Sequence, residues 1–275
     1  MSGEVEPIYI LARKVLLDAL DALSAHRDAL ILVGAQAIYL HTGESDFALA
    51  PFTTDADLAI NPSALQPNPK LTEALTGAGF FSSPDSIGIW TSVVDSLNTD
   101  LLVPEAVAGK GSRSADLGGH GNRVARRVHG LEPALVDNSW MRIDALTLTD
   151  KRVHQIRVAG PAALLIAKLH KVYERKDKPA RPDNKDAFDI YRLLQATQTA
   201  DLASAVRSLS TNEMSHESAV SGMRYLHELF STENALGARL VGQAVEGIGD
   251  PNVVAAGSSA LANDLLHQLR DIIVL

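Results

Sequence analysis

The sequence predicts an α+β protein in which a first part mixes strands with helices and a second part is helical. Strand-length apolar runs and alternating segments occur up to about residue 157. After Gly160 these signals nearly vanish, and apolar residues recur at the spacing of three to four that is typical of helices. The chain has 275 residues, of which 46% are hydrophobic and 21% charged, so it is long and apolar enough for a folded core.

The elements of the first part follow from periodicity and from turn residues. Residues 8–24 carry apolar side chains on one helical face. The apolar run 29–33 ends at Gly34 and reads as a buried strand, and residues 55–60 alternate like a half-buried strand. The other expected elements are helices over 35–40 and 70–77, strands over 87–94, 99–103, 127–136, 141–148 and 155–158, and loops over 42–51 and 108–123.

The second part reads as helices throughout. Pro161 occupies a first helical position, where its missing N–H costs nothing. The expected helices span 162–173, 186–195, 202–209, 218–230, 234–245 and 258–273. We therefore place the domain boundary between residues 157 and 158.

Composition and charge exclude several classes of function. Cysteine is absent, which rules out disulfides, thiolate metal ligands and a thiol nucleophile. No apolar run reaches the roughly 18 residues of a membrane helix, and residues 1–7 lack the basic stretch of a signal peptide. A cytoplasmic protein without a membrane partner is expected. The net charge of −8 argues against a general polyanion binder, although residues 168–185 hold seven basic and three acidic residues.

Two aspartates stand two residues apart on the strand predicted over residues 55–60. Because strand side chains alternate between faces, Asp55 and Asp57 point the same way. Adjacent carboxylates repel unless they are solvated, protonated or bound to a cation. Mg²⁺ usually takes one or two carboxylates plus substrate phosphates. The pair is therefore either a magnesium site or two solvated aspartates at an exposed edge.

A third carboxylate favours the magnesium site over two solvated aspartates. Asp100 begins the strand predicted over residues 99–103, and it joins Asp55 and Asp57 at one edge if the two strands pair. Three carboxylates with two metal ions suit in-line nucleotidyl transfer. Asp144 is the rival third ligand, and either aspartate is otherwise a surface residue.

Other residues suit an anionic ligand. Gly34 opens a helix, whose N-terminus either binds an anion or is only a tight turn. Lys168 lies among apolar residues and either reaches water or faces an anion. Asp186 and Asp189 share a helical face, although Asp186 can instead favour the helix N-terminus and Asp189 can pair with Lys185.

These segments occur in a recognisable order: VGAQA at 33–37, TTDAD at 53–57, DLL at 100–102, KLH at 168–170 and KDAFD at 185–189. Over roughly residues 29–195 the chain thereby resembles the nucleotidyltransferase-fold toxins of the AbiEii/MenT type, within the polymerase-β-like superfamily. The resemblance implies a nucleotidyltransferase-like mixed sheet with flanking helices over 1–157, followed by a helical domain over 158–275.

The resemblance also implies a reaction and its residues. In that family a nucleotide passes from an NTP to the 3′ end of tRNA or to a protein hydroxyl, and a toxin of this kind has an antitoxin as partner. The resemblance implies that Asp55 and Asp57 bind Mg²⁺ and the triphosphate, that Thr53 contacts phosphate, and that Lys168 and Asp189 take part. Together with the residues identified above, the expected metal ligands are Asp55, Asp57 and Asp100, and the expected nucleotide-binding residues are Gly34, Thr53, Thr54, Lys168 and Asp186. The expected catalytic residues are Asp55, Asp57, Asp100, Lys168 and Asp189.

The chain departs from the family pattern in two places. Ala35 and Gln36 follow Gly34, where the family often has a hydroxyl residue, and Pro51 and Phe52 replace a basic residue before the aspartate motif. We therefore expect the loop over 113–127 to supply the missing phosphate contacts through its basic side chains, His120, Arg123, Arg126 and Arg127.

Two other functions remain open from the sequence. One is transfer of a nucleotide to a small molecule, as in enzymes that modify antibiotics, because fold does not fix the acceptor. The other is a degenerate domain that binds a nucleotide or a partner without turnover. A serine hydrolase is not indicated, because no Gly-x-Ser-x-Gly elbow is present.

Overall fold

The computed structural model describes residues 7–43, 52–177 and 184–271. By packing, the chain divides into two compact units, which consist of Met1–Ala37 with Ala50–Ala159, and of Ile38–Leu49 with Gly160–Leu275. The described residues have an α+β fold with a mixed sheet flanked by helices, which confirms the predicted class.

The described residues of the first unit form a sheet of eight strands. They are β1 (Leu30–Val33), β2 (Asp55–Ile60), β3 (Phe80–Phe81), β4 (Ile89–Ser92), β5 (Asn98–Pro104), β6 (Arg126–Val128), β7 (Asn138–Asp144) and β8 (Val153–Ala159). Their order is β3-β4-β5-β2-β1-β8-β7, and β6 also pairs with β5. The β1–β8, β2–β5 and β5–β6 pairs are parallel and the other pairs are antiparallel.

The alternation of β2 and β5 gives the sheet one apolar and one partly polar face. On one face Ala56, Leu58 and Leu101 are fully buried, and burying a leucine side chain stabilises the fold by about 1.5–3 kcal/mol. On the other face Asp55 and Asp57 are only half-buried. The polar side chains thus collect where both strands begin.

Four helices begin in the first unit: α1 (Pro7–Ala22), α2 (Gly34–Thr42), α3 (Leu71–Gly77) and α4 (Pro133–Val136). Short 3₁₀ helices lie at Ser24–Ala29, Pro62–Ala64, Glu105–Val107 and Gly118–His120. The residues of α2 from Ile38 onward group with the second unit.

The strand predicted over 127–136 is wrong. Only Arg126–Val128 forms a strand, and Pro133–Val136 is the helix α4. Pro133 has a fixed φ and no N–H, so it suits a first helical turn better than the interior of a sheet. Strand β3 is absent from the prediction. Strand β7 begins three residues before the strand predicted over 141–148.

Every described element after Gly160 is a helix. These are α5 (Pro161–Arg175), α6 (Asn184–Ala196), α7 (Thr199–Thr211), α8 (His216–Phe230), α9 (Leu236–Ala244) and α10 (Pro251–Gln268). Helix α10 begins seven residues before the prediction because the Asp250 side chain caps it by accepting from the N–H groups of Asn252 and Val253. Most of the loop predicted over 42–51 lies outside the described residues. Across the described ranges, no helix has the length and apolar character that crossing a bilayer requires.

Candidate functional site

Asp57 and Asp100 are direct neighbours on two parallel strands. The register of β2 against β5 pairs Asp57 with Asp100 and Asp55 with Asn98. Paired residues on strands about 4.8 Å apart share a face of the sheet. The three aspartates, Asp55, Asp57 and Asp100, therefore form one acidic surface, which we call the carboxylate row.

Thr53 fixes the first member of the row. Its side chain is fully buried, and its hydroxyl donates a hydrogen bond of 2.7 Å to Oδ1 of Asp55. Thr54, in contrast, is exposed. Of the two threonines, Thr53 thus orients a carboxylate, and Thr54 is the one whose side chain faces solvent.

Gly34 lies directly against the second member. Its φ is +69°, and a Cβ at this position would stand 2.0 Å from Oδ2 of Asp57. Both the backbone angle and the carboxylate therefore require glycine here. The carboxylate of Asp57 lies beside the N-terminus of α2, where the helix dipole favours a negative charge.

Gln36, two residues after Gly34, forms an internal brace. The side chain is buried; its amide donates to the carbonyl oxygens of Ala12 and Asp55, both at 3.1 Å. Its oxygen accepts from Nε of the buried Arg13 at 2.9 Å. Gln36 thus ties the start of β2 to α1 and positions the backbone of Asp55.

Asp100 already has a cationic partner. Nη2 of Arg126 lies 2.8 Å from Oδ2 of Asp100, whose side chain is 13% exposed. The other basic residues of the loop have partners of their own: Arg123 donates to the carbonyl of Pro84, Arg127 contacts Glu105, and His120 contacts the carbonyl of Gln66. Arg126 is therefore the loop residue that reaches the carboxylate row.

Asp144 does not join the row. It lies on β7, three strands from β2 in the sheet order, which corresponds to about 14 Å at the usual strand spacing. Its carboxylate pairs with Arg142 at 2.7 Å, and both side chains are exposed. Of the two rival third ligands, only Asp100 lies beside Asp57.

The donor chemistry of the row fits a hard cation. Carboxylate oxygens are ligands that Mg²⁺ accepts, and substrate phosphates complete its shell. However, within residues 7–43, 52–177 and 184–271 no group of three His, Asp or Glu side chains is arranged to hold a metal ion. Since Asp100 is engaged by Arg126, the fit rests on Asp55 and Asp57.

The second unit contains a separate, buried ionic cluster. Nζ of Lys168 lies 2.5 Å from Asp186 and 2.7 Å from Asp189. Lys171 and Arg175 also contact Asp186, at 3.0 and 3.3 Å. Lys168 therefore faces anions of the protein itself, and three members of the basic stretch 168–185 converge on one aspartate.

Opposite charges hold this cluster ionised. Burial alone would lower the pKa of Lys168, but Asp186 and Asp189 outweigh burial and hold that pKa well above its ordinary value. Burial alone would raise the pKa of Asp186, yet Lys168 and Lys171 bring it below its ordinary range. At neutral pH both Lys168 and Asp186 are therefore charged.

Comparisons with known proteins add no assignment. No protein-family model matches the chain, and neither a curated protein nor a solved structure matches it. The residues and their geometry are therefore the basis for a function.

Proposed function

We propose that the protein is a Mg²⁺-dependent nucleotidyltransferase that moves a nucleoside monophosphate from an NTP to a hydroxyl group of an RNA or a protein. The observation that carries this proposal is the carboxylate row, in which Asp57 and Asp100 are register partners. An antitoxin partner and a toxin role belong to the same proposal and rest on the sequence resemblance.

The proposed reaction is an in-line displacement. The acceptor oxygen bonds to the α-phosphorus as the bond from that phosphorus to the bridging oxygen breaks. Pyrophosphate leaves with the electron pair, and the hydroxyl proton passes to a carboxylate or to water. Magnesium held by Asp55 and Asp57 would neutralise triphosphate charge and would lower the pKa of the attacking hydroxyl.

Each residue has a stated part in the proposal. Asp55 and Asp57 hold the metal, and Thr53 keeps Asp55 in position through its 2.7 Å hydrogen bond. Asp100 either completes the metal site or accepts the hydroxyl proton. The resemblance implies contact with the triphosphate for Lys168 and Asp189, but these two side chains pair with each other at 2.7 Å in the second unit, so the proposed site consists of residues of the first unit.

A labelling assay tests the proposal. The purified protein is incubated with Mg²⁺ and each α-labelled NTP, with total tRNA, a protein extract and an aminoglycoside set offered separately. We expect label in the tRNA or protein pool, and loss of that label in Asp57→Asn. Asp144→Asn is the matched control, because that exposed aspartate lies outside the row.

The other outcomes of the assay distinguish the alternatives. Label in the aminoglycoside pool would assign a small-molecule nucleotidyltransferase. Binding of NTP with no label in any pool would indicate a domain that binds without turnover. Equal labelling by wild type and Asp57→Asn would show that the carboxylate row does not carry the reaction.

A further inference from the structure

An exposed tryptophan is flanked by two arginines on the edge of the sheet. The Trp140 side chain is 43% exposed. The guanidinium carbons of Arg157 and Arg27 lie 5.0 and 6.0 Å from its ring centroid, within the range of cation–π attraction. We call Arg27, Trp140 and Arg157 the indole cluster.

The fold builds this cluster from three separate segments. Trp140 and Arg157 are register partners on β7 and β8, and Arg27 comes from the 3₁₀ helix Ser24–Ala29 that precedes β1. An aromatic side chain that is held by two backbone elements presents a pre-positioned ring to a ligand.

Within the described part of the chain, no ion pair neutralises the charges of the two arginines. Arg157 donates to the amide oxygen of Asn138 at 3.0 Å. Among the residues that the structure describes, neither Arg27 nor Arg157 forms a salt bridge, whereas Arg142, two residues along the same strand from Trp140, pairs with Asp144. The cluster is therefore a local positive site on an acidic protein.

The cluster and the carboxylate row lie on the same face of the sheet. Register pairs connect Trp140 to Arg157, Arg157 to Ile31 and Ile31 to Ala59. Asp57 is two residues from Ala59 and shares its face. Three strand spacings separate β7 from β2, which is about 14 Å.

An exposed ring beside two cations fits a single-stranded nucleic acid. Unpaired bases stack on aromatic rings and on guanidinium planes, while arginines neutralise phosphates. The basic stretch in the second unit is less suited to that task, because Lys168, Lys171 and Arg175 contact Asp186 and Lys176 contacts Glu228.

We propose that the indole cluster binds an unpaired segment of an RNA, with a base against Trp140 and phosphates at Arg27 and Arg157. The inference rests on the proposed function in one respect, since it makes RNA rather than protein the acceptor of the nucleotide. The acidic remainder of the chain then confines RNA to this site, because the net charge of −8 repels it elsewhere.

Titration with a short single-stranded RNA tests the inference. Trp90 is buried and Trp140 is exposed, so quenching of tryptophan fluorescence reports mainly on Trp140. By anisotropy of labelled RNA, Trp140→Ala is expected to weaken binding about tenfold and Trp140→Phe, which keeps a ring, much less. Arg157→Ala or Arg27→Ala should lower the slope of log K against log salt by about 0.7.

Arg142→Ala is the matched control, because that arginine lies on the same strand and face but pairs with Asp144. Wild-type RNA affinity in both Trp140→Ala and Arg157→Ala would overturn the inference. So would a change of oligomeric state in Trp140→Ala with RNA binding unchanged, because the cluster would then be a protein contact.

The design separates this inference from the proposed function. RNA binding that depends on Trp140, together with no transfer from any NTP, would overturn the proposed function and support the RNA site. Transfer to RNA that Trp140→Ala leaves unchanged, with RNA affinity also unchanged, would support the proposed function and overturn the RNA site.

Discussion

The carboxylate of Asp57 occupies the space that any side chain on residue 34 would need. A Cβ on Gly34 would lie 2.0 Å from Oδ2 and 2.8 Å from Cγ of Asp57. The turn into α2 and the position of the carboxylate therefore depend on each other, and a change at residue 34 acts on the carboxylate row without altering any acidic residue.

Gly34→Ala tests this dependence. The substitution adds a clash with Asp57 to the strain of φ +69°, so we expect loss of nucleotide transfer and destabilisation by more than about 1 kcal/mol. Gly79→Ala is the control, because Gly79 has a φ of +83° with nothing within 4 Å of its Cβ position. Urea denaturation and the labelling assay give the two readouts. If both variants lose stability and transfer equally, backbone strain alone accounts for the losses, and the clash with Asp57 does not.

Asp57→Asn separates activity from stability. Loss of one metal carboxylate is expected to lower the transfer rate by about a hundredfold or more. The free energy of unfolding should change by less than about 1 kcal/mol, because the substitution is isosteric and removes a neighbour of like charge. Steady-state kinetics and urea denaturation measure the two effects. A rate within a few-fold of wild type would contradict the metal assignment.

Lys168→Met should be much more destabilising than Lys171→Met. The Lys168 side chain is 8% exposed and its partner Asp189 only 2%, so its removal strands buried charge at a cost of about 3–5 kcal/mol. The Lys171 side chain is 44% exposed, and Asp186 would keep Lys168 and Arg175, so about 1 kcal/mol or less is expected.

A double variant tests whether Lys168 also takes part in the reaction. Adding Asp189→Asn to Lys168→Met should restore part of the stability by removing the stranded charge. If the double variant regains stability but not transfer, Lys168 or Asp189 contributes to the reaction. Recovery of both would make its role structural.

His26 should make stability depend on pH. The side chain is fully buried and its Nε2 contacts the carbonyl of Pro69 at 2.9 Å. Burial lowers the pKa of His26 below its ordinary value, and His120, whose ring centroid is 5.3 Å away, adds to the effect. Because the folded pKa lies below the unfolded value of about 6.5, stability is full above that pH and falls as the pH drops below it.

Denaturation of His26→Gln at several pH values checks this sign. When the pH is lowered from neutral to below the pKa of free histidine, the variant should lose less stability than the wild type. In His267→Gln, at an exposed position on α10, the free energy of unfolding should change with pH as it does in the wild type. A stronger dependence of unfolding free energy on pH in His26→Gln than in the wild type would contradict the lowered pKa of His26.

Local sequence patterns predict most of the strands and helices of this protein, but they do not predict which strands pair. The alternation around Asp55 and Asp57 correctly placed both on one face of a strand. Whether Asp100 or Asp144 stands beside them depends on strand order, which links segments more than forty residues apart, and only the structure pairs Asp57 with Asp100. Local periodicity contains no information about that choice.

The errors have physical causes that are visible in the sequence. Pro133 marked a helix start, as Pro161 did, but the apolar residues around it were read as a strand. The role of Gln36 depends on Arg13 and Ala12, which approach it only through packing. The indole cluster was missed because its members come from three segments, although Trp140, Arg142 and Asp144 do alternate along β7.

The position of β1 has a consequence during synthesis on the ribosome. Its residues Leu30–Val33 are all buried, and β2 covers one of its edges early. The other edge pairs with β8, which begins at Val153. At 5–20 residues per second, roughly 6–24 s pass before that partner emerges. During this interval an apolar strand edge of the nascent chain lacks its partner and is open to aggregation.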